Sequence, residues 1–559
     1  MLFRMVYFLA LSSGWGNAGE LYAPLESDQW VVRAYFFNED MVRKLSLERS
    51  PWEINREGGF LILDVDLEGM ALLDDLGFHW EVDDAMTLAL RVPHELLDGQ
   101  DSGIPGFPCY PTVEETFAIA QGLVATAPDL AQWLDVGDSW EKTLDPDGGY
   151  DLMVLKLTNQ KKPGPKPVLF VMSAIHAREY ATAPLNTRFA QYLVEQYGKN
   201  ADATMLLDDH EIHLLLQSNP DGRKRAESGL FWRKNTDNDF CTGSNSRGVD
   251  LNRNFQFQWG CCGSSTNPCS EVFRGPDGGS EPEVAAIQEY VRSIFPDQKG
   301  DDINDPAPAD ATGVFIDIHS FSELVIWSYG FTPNPAPNSQ GLTTLGRKMA
   351  FFNGYFPEPI SQLANAGGST ADFAYGELGV AAFGFELGTN FFQDCNTFEN
   401  QILPDNLPAL VYAARVSRTP YLTTAGPETL APELKITGNQ FTLTAQFNDT
   451  RFSSRNGIEP VQNITDGQLY IDIPPWGANP HPIGMNPLDG SWDSAVEMGR
   501  VAVDTAGLEP GRHMVYVRGR DGSGQWGPVS AVFLDLVRFS DLMAAWPNNV
   551  TILDLLQAL

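Results

Sequence analysis

The run Pro167-Val168-Leu169-Phe170-Val171-Met172 is apolar throughout, and it leads through Ser173 into Ala174-Ile175-His176-Ala177-Arg178-Glu179-Tyr180. A short continuous apolar run of this kind reads as a strand buried in a layered sheet. A His closing that strand and a Glu opening the next helix, three residues on, can bind one ion from the same side. By itself His-x-x-Glu is a weak signal, since such pairs arise by chance at exposed helix starts. A second strand-like run, Gly313-Val314-Phe315-Ile316-Asp317-Ile318-His319-Ser320, ends in the same way and supplies a third ligand. Taken singly, His176 or His319 reads equally well as a hydrogen-bonded core histidine. Two imidazoles and one carboxylate together are the ligand set of a tetrahedral zinc that keeps one position open, the pattern of a catalytic rather than a structural site.

Three further segments follow in order: Phe231-Trp232-Arg233-Lys234-Asn235, Gly248-Val249-Asp250-Leu251-Asn252-Arg253-Asn254-Phe255 and Phe383-Gly384-Phe385-Glu386-Leu387-Gly388. On these motifs, over roughly residues 110 to 420, the chain resembles the zinc metallocarboxypeptidases of the carboxypeptidase A type. The resemblance implies an α/β, mixed-sheet catalytic domain with one zinc ion per chain on His176, Glu179 and His319. It implies Arg233 as the arginine that polarises the carbonyl, Asn252 and Arg253 as the clamp for a terminal carboxylate, and Glu386 as catalytic base. It also implies Asp250 as acceptor of the second ring proton of His176. Each role has a physical reason. A carboxylate beside a metal-activated water can take its proton and pass it to the leaving amine, and a fixed guanidinium stabilises the oxyanion as it forms. A guanidinium fork grips both oxygens of a planar carboxylate, which lysine cannot do.

Competing readings exist for several of these residues. Arg233 stands near Arg223, Lys224, Arg225 and Lys234, so it also reads as one charge in a solvated basic run. Asn252 and Arg253 also fit a plain turn. Glu386 ends the run Val380 to Phe385, where a carboxylate needs a cationic partner. The cluster Asp208, Asp209, His210, Glu211 and His213 invites a second metal, but the alternation from Glu211 to Gln217 reads as a core strand. One departure from the family stands out. Its mobile tyrosine corresponds to Leu363 or Ala364 in Ser361-Gln362-Leu363-Ala364-Asn365-Ala366-Gly367-Gly368-Ser369, so that Tyr355 or Tyr375 substitutes from elsewhere or the role is missing. Thr370 or Ala371 occupies the position that selects the terminal side chain. With no acid there, and Gly384 widening the pocket, the expected terminal residue is uncharged, apolar or aromatic.

A chain of 559 residues exceeds one core, and roughly 100 to 200 residues per domain suggests three units. The net charge of −36 argues against nucleic acid or an anionic membrane as partner. Residues 1–18 read as a secretion signal, with Arg4 before the apolar Met5 to Leu11 and Gly16-Asn17-Ala18 for cleavage. No other run approaches the roughly 20 apolar residues of a membrane span. Six cysteines fit a secreted, periplasmic or extracellular setting. By the family resemblance Cys241 and Cys269 pair; Cys109 and Cys395 pair with each other or with the adjacent Cys261 and Cys262.

Residues 20–92 read as a βαββαβ unit, a ferredoxin-like α+β domain: strand Trp30 to Phe37, helix Glu39 to Leu47, strands Trp52 to Asn55 and Phe60 to Asp66, helix Leu67 to Leu76, and strand Phe78 to Val82. It resembles the activation segment of secreted carboxypeptidases and reads equally as a permanent accessory domain. A linker, 93–112, contains Gly103-Ile104-Pro105-Gly106-Phe107-Pro108, where a cut is expected to free the catalytic domain, 113–422. In that domain Tyr150 to Leu157 and Val168 to Met172 flank a hairpin-like loop, and Ser280-Glu281-Pro282-Glu283 resembles a capping box before a helix Val284 to Phe295. Residues 434–538 carry short alternating runs, an immunoglobulin-like β-sandwich, with Arg518 to Trp526 as a hairpin. Trp476, Trp492 and Trp526 read as core residues or as a carbohydrate or surface-binding platform. The tail 539–559 has an amphipathic run ending at Leu556 that is expected to dock on a domain. The function these readings converge on is a secreted zinc exopeptidase acting on peptide and protein C-termini. The rivals are a zinc peptidase of cell-wall peptides and a zinc-containing binding protein without catalysis.

Overall fold

The computed structural model describes residues 29–536, apart from 47, 50, 57, 245, 364, 438 and 439. The expected leader Met1 to Ala18, Ala364 and the run ending at Leu556 lie outside them.

Strands β1 (Trp30–Tyr35), β2 (Glu53–Asn55), β3 (Phe60–Val65) and β4 (His79–Val82) form an antiparallel sheet in the order β2-β3-β1-β4. The helices Glu39–Leu45 and Leu67–Asp75 start where the side chains of Asn38 and Asp66 accept the amides of Met41 and Gly69. Their apolar faces pack on Val32, Ala34, Leu61, Leu63 and Val65. The residues that alternate with these, Val31 and Ile62, belong instead to the core of the catalytic unit. Burial on both faces explains why β3 is apolar at every position except Asp64. A further short helix, Asp84–Ala89, was not expected; Asp83 caps it and Thr87 ties it to β1.

The catalytic unit is built on β5 (Ala131–Asp138), β6 (Asp151–Leu157), β7 (Val168–Ser173), β8 (Glu211–Leu215), β9 (Val314–His319), β10 (Leu324–Trp327), β11 (Phe356–Pro359) and β12 (Ala381–Glu386). Their order is β11-β10-β12-β9-β7-β8-β6-β5, with β12, β9, β7 and β8 mutually parallel at the centre. The loop after β6 is not a hairpin. Strand β8 inserts between β6 and β7, because β7 is buried at every position and takes a central place, whereas β6 keeps partly exposed positions and lies nearer the edge. Of the cluster, Glu211 and His213 lie on that inserted strand, with the His213 ring against the Tyr290 hydroxyl, while Asp208 and Asp209 end the helix Ala201–Asp209. The expected capping box does not form. Glu281 is the N-cap of the helix Pro282–Ile294 without a side-chain cap, and the Glu283 carboxylate instead accepts from the Trp140 amide and Asn235.

The C-terminal unit comprises β13 (Glu428–Thr437), β14 (Gln440–Asn448), β15 (Ile464–Ile471), β16 (Ile483–Gly484), β17 (Asn486–Pro487), β18 (Val496–Val503), β19 (Gly511–Asp521) and β20 (Ser530–Leu536), in two sheets ordered β13-β14-β18-β17 and β16-β15-β19-β20. It starts at Glu428, before the expected boundary at 434. Phe447 fills its centre, and a Cβ at Gly467, Gly499 or Gly519 would lie 2.5, 2.8 or 2.6 Å from that ring, so glycine is required in three strands at once. None of the three tryptophans forms a free platform: Trp476 takes the guanidinium of Arg418 from the catalytic unit, Trp492 packs on Phe447, and Trp526 covers Arg518 and Arg520. No helix among the described residues is long and apolar enough to cross a membrane.

Candidate active site

The C-terminal ends of the central parallel strands meet at one edge, where open α/β sheets place their ligands. After β7 the chain turns through Ala174, a non-glycine residue at φ +57°, a conformation that costs of order 1 kcal/mol and is held by the fold around it. That turn delivers His176 and Glu179 ahead of the helix Thr182–Gln196. His319 ends β9 and Glu386 ends β12, paired side by side in parallel register.

His176 Nδ1 lies 2.7 Å from Glu179 Oε1 and 3.2 Å from His319 Nδ1, and His319 Nδ1 lies 3.3 Å from Glu179 Oε2. All three residues are buried, and Oε2 of Glu179 has no hydrogen-bond partner. Two imidazoles turning the same ring nitrogen toward one carboxylate is the donor set of a metal, and metal–ligand bonds of about 2.1 Å around a tetrahedral centre space their ligands by about 3.4 Å. The residues therefore fit zinc. Their electrostatics agree. Burial alone opposes charge on His319, yet the carboxylates of Asp317 and Glu179 hold its pKa well above the usual value, a sign of positive charge wanted at this point.

The outer nitrogen of His319 is also held by a hydrogen bond, and that of His176 faces a carboxylate without one. His319 Nε2 lies 2.8 Å from Asp317 Oδ2, and His176 Nε2 lies 3.3 Å from Asp250 Oδ1. Asp250, fully buried, also takes Arg233 at 2.9 Å and caps the short turn Leu251–Arg253. Burial works against its ionisation, but Arg233, His176 and Arg253 hold its carboxyl well below the ordinary range. In that turn Asn252 Nδ2 lies 3.2 Å from Nε2 of His319, and its side-chain oxygen accepts the Thr370 amide. The guanidinium of Arg253 donates from Nε to the Gly263 carbonyl and from Nη1 to the Asn252 carbonyl, both at 2.8 Å. It makes no ion pair among the described residues, although it is only 9% exposed.

The expected metal, base and substrate residues, Thr370 and Ala371 included, line one cavity, and Asp250 stands behind it. Arg233 is thus buried in the site and not part of a solvated basic run. Burial, together with the Glu179 charge, raises the carboxyl of Glu386 to about 8 against the pull of His319 and Arg233. Thr370 turns its hydroxyl to Asp317, and Ile326, Ile360, Leu363 and Ala371 supply the apolar wall. Gly384 does not simply widen this pocket: a Cβ there would lie 2.9 Å from Ile326, which fills the space. Neither tyrosine named as a substitute reaches the cavity. The hydroxyl of Tyr355 accepts from Gly388 and Asn406, and that of Tyr375 is paired with Asn338, while Leu363 lines the wall.

The sequence profile of the zinc carboxypeptidase family matches residues 117–407. This chain belongs to the zinc carboxypeptidase family. It is 30% identical over 303 residues to carboxypeptidase A1 of Rattus norvegicus, covering 53% of this chain and 66% of that protein. Against carboxypeptidase A1 of Homo sapiens the identity is 32% over 288 residues, covering 50% and 62%. The match thus spans slightly less than two thirds of these relatives. Among solved structures, carboxypeptidase A from Helicoverpa armigera aligns with a TM-score of 0.56 at 22% identity, over 69% of this chain and 97% of that one. Thrombin activatable fibrinolysis inhibitor aligns with a TM-score of 0.54 at 21% identity, over 70% and 99%. These likenesses establish the fold.

The motifs did not reveal residues that enter the site from the N-terminal unit. Trp52, 5% exposed, sits in the mouth of the cavity with its ring 5.3 Å from both Phe231 and Phe391, and Ser322 holds its carbonyl. Arg49 lines the same cavity, and Glu48 accepts the hydroxyls of Ser265 and Ser270. Arg178 is buried beneath this lid, its guanidinium over the Phe231 and Phe391 rings at 4.2 and 4.5 Å and bonded to Glu271. With Trp52 in place about 110 Å³ of cavity stays open. Disulfides join Cys109 to Cys395, Cys241 to Cys269 and Cys261 to Cys262.

Proposed function

We propose that the chain hydrolyses the C-terminal peptide bond of peptides and proteins, with His176, Glu179 and His319 holding zinc. The observation that carries this reading is the Arg253 guanidinium, fixed by two main-chain carbonyls beside the metal ligands and lacking an acid of its own. A buried cation without a counter-charge is costly, and a substrate's terminal carboxylate completes it. When bound, zinc supplies a water acidic enough to ionise near neutral pH and a Lewis acid for the carbonyl.

The chain's own groups do the rest. Glu386 accepts the proton of the attacking water and returns it to the leaving nitrogen. Arg233, held by Asp250, offers a fixed positive charge to the carbonyl oxygen as it becomes negative. Arg253 and Asn252 hold the terminal carboxylate, which restricts cleavage to the last residue. The apolar wall supports preference for an uncharged, apolar or aromatic terminal side chain. The buried acid nearby, Asp372, accepts the Gly330 and Phe331 amides and so serves the loop.

The antiparallel order β2-β3-β1-β4 with two helices on one face supports a ferredoxin-like N-terminal domain, and two facing four-stranded sheets support an immunoglobulin-like C-terminal one. With Trp52 in the cavity mouth, we read the described form as latent. Three disulfides support an extracellular or periplasmic setting. The deciding experiment is mass spectrometry of a mixed peptide set incubated with the zinc-loaded protein, intact and after removal of the N-terminal unit. Loss of single C-terminal residues that vanishes in Glu386→Gln is the expected result; no trimming by either form of the zinc-loaded protein overturns the reading.

A further inference from the structure

The loop between β7 and the helix Thr182–Gln196 carries two of the three candidate zinc ligands, and its backbone is tied on both sides. On the amide side, Ala177 donates to the Arg233 carbonyl and Tyr180 to the Phe391 carbonyl. On the carbonyl side three residues converge on one side chain. Arg223 donates from Nη1 to the carbonyls of Ala177 and Glu179, at 3.3 and 3.1 Å, and from Nη2 to that of Tyr180, at 3.1 Å. The following helix cannot supply the last of these bonds. The residue four along from Tyr180 is Pro184, which has no N–H to give.

Arg223 stands in a basic run of the sequence, yet it is fully buried and makes no ion pair among the described residues. Glu227, on the same helix Pro220–Glu227, gives its oxygens to the Val113 amide and the Lys224 ammonium instead. Arg223 does not line the active-site cavity, and its guanidinium lies 4.8 Å from the centre of the Tyr180 ring. A buried cation costs free energy that an apolar side chain of the same length avoids. What the guanidinium adds is a rigid fork, two nitrogens reaching three carbonyls, which the single nitrogen of lysine cannot reproduce. The peptide planes after Ala177, Glu179 and Tyr180 are thereby fixed, and with them the direction in which the Glu179 side chain leaves the backbone.

We propose that Arg223 is a positioning residue of the metal centre, acting through Glu179 and His176 and touching neither ion nor substrate. The proposal rests on the reading of His176, Glu179 and His319 as zinc ligands. It divides the work of the site between two arginines: Arg223 sets the metal centre, whereas Arg253, on a different segment, sets the hold on the substrate's carboxylate.

The test compares Arg223→Met, which keeps a stem and removes every donor, with Arg223→Lys and with Ile287→Ala. Ile287 is buried on the helix Pro282–Ile294, which packs on β5. For each variant, zinc affinity is measured by competition with a chelating dye, together with the thermal midpoint of the metal-free protein and kcat and KM on peptides with a free C-terminus. Arg223→Met is expected to weaken zinc binding about 10- to 100-fold, with kcat lowered and KM changed by less than about twofold. Arg223→Lys is expected to fall between it and the parent, since an ammonium keeps the charge and part of the bonding. Ile287→Ala is expected to lower the midpoint at an unchanged zinc affinity, which separates positioning from loss of stability. Parental zinc affinity in folded Arg223→Met, a loss that falls on KM alone, or an equal zinc loss in Ile287→Ala overturns the proposal. Where Arg223→Met does not fold, parental zinc affinity in Arg223→Lys overturns it. A parent protein that takes up no zinc overturns instead the zinc reading of the centre.

Discussion

Asp317 Oδ2 lies 2.8 Å from Nε2 of His319 and accepts the hydroxyl of Thr370 at the same distance. With Nδ1 of His319 facing Glu179 and His176, this carboxylate sits on the outer nitrogen, keeping the proton there and the lone pair toward the metal. The Thr370 amide continues the chain of bonds to Asn252, so ligand, pocket and clamp are linked. Asp317→Asn is expected to weaken zinc binding about 10- to 100-fold while the fold persists. Competition with a chelating dye measures this directly, and an unchanged zinc affinity would deny Asp317 the role.

The clamp makes a different forecast. Replacing Arg253 by Met removes the guanidinium and keeps the stem, and a lost buried charge contact costs about 2 kcal/mol or more, close to 30-fold. The loss is expected in kcat/KM for peptides with a free C-terminus. Peptides with an amidated terminus, poor substrates from the outset, are expected to respond little. Equal losses on both substrates would contradict a carboxylate-binding role.

Trp52 is a side chain of the N-terminal unit that lines the cavity and packs on Phe231 and Phe391. Truncating a buried tryptophan costs about 3 kcal/mol or more, so Trp52→Ala is expected to weaken the hold of the N-terminal unit by about a hundredfold. In the uncut protein, trimming of small peptides should rise. Isothermal titration of the separated units reports the same change without relying on activity.

The pair Glu281 and Glu283 sets a pH dependence away from the metal. Burial, then the Glu281 charge, raises Glu283 to about 8, and burial raises Glu281 to about 7. The folded protein thus keeps protons that the unfolded chain releases above about pH 4.5, so stability falls as pH climbs from there toward 8. Thermal unfolding of the metal-free protein should show a lower midpoint at pH 8 than at pH 5. In Glu283→Gln that difference should shrink; a slope identical to the parent's would exclude this pair as its source.

The sequence alone brought out the candidate zinc ligands and the residues proposed as clamp and base, because each stands at a strand end or in a short motif whose order and spacing survive in one dimension. The βαββαβ pattern of the first unit was equally legible, since caps such as Asn38 and Asp66 and the strand alternation are local signals. Tertiary structure alone decided the rest. The insertion of β8 between β6 and β7 depends on which strand can be buried on both faces, a property of the assembled sheet. Trp52 reaches the site from a different unit, and Asp317 acquires its role only when β9 sets it beside the pocket loop carrying Thr370. Ile326 fills the space beside Gly384 because β10 pairs with β12, so a glycine that looked like added room is a packing contact. Long-range packing chooses among arrangements that local propensity leaves equal, and the lid and the pocket floor are products of that choice.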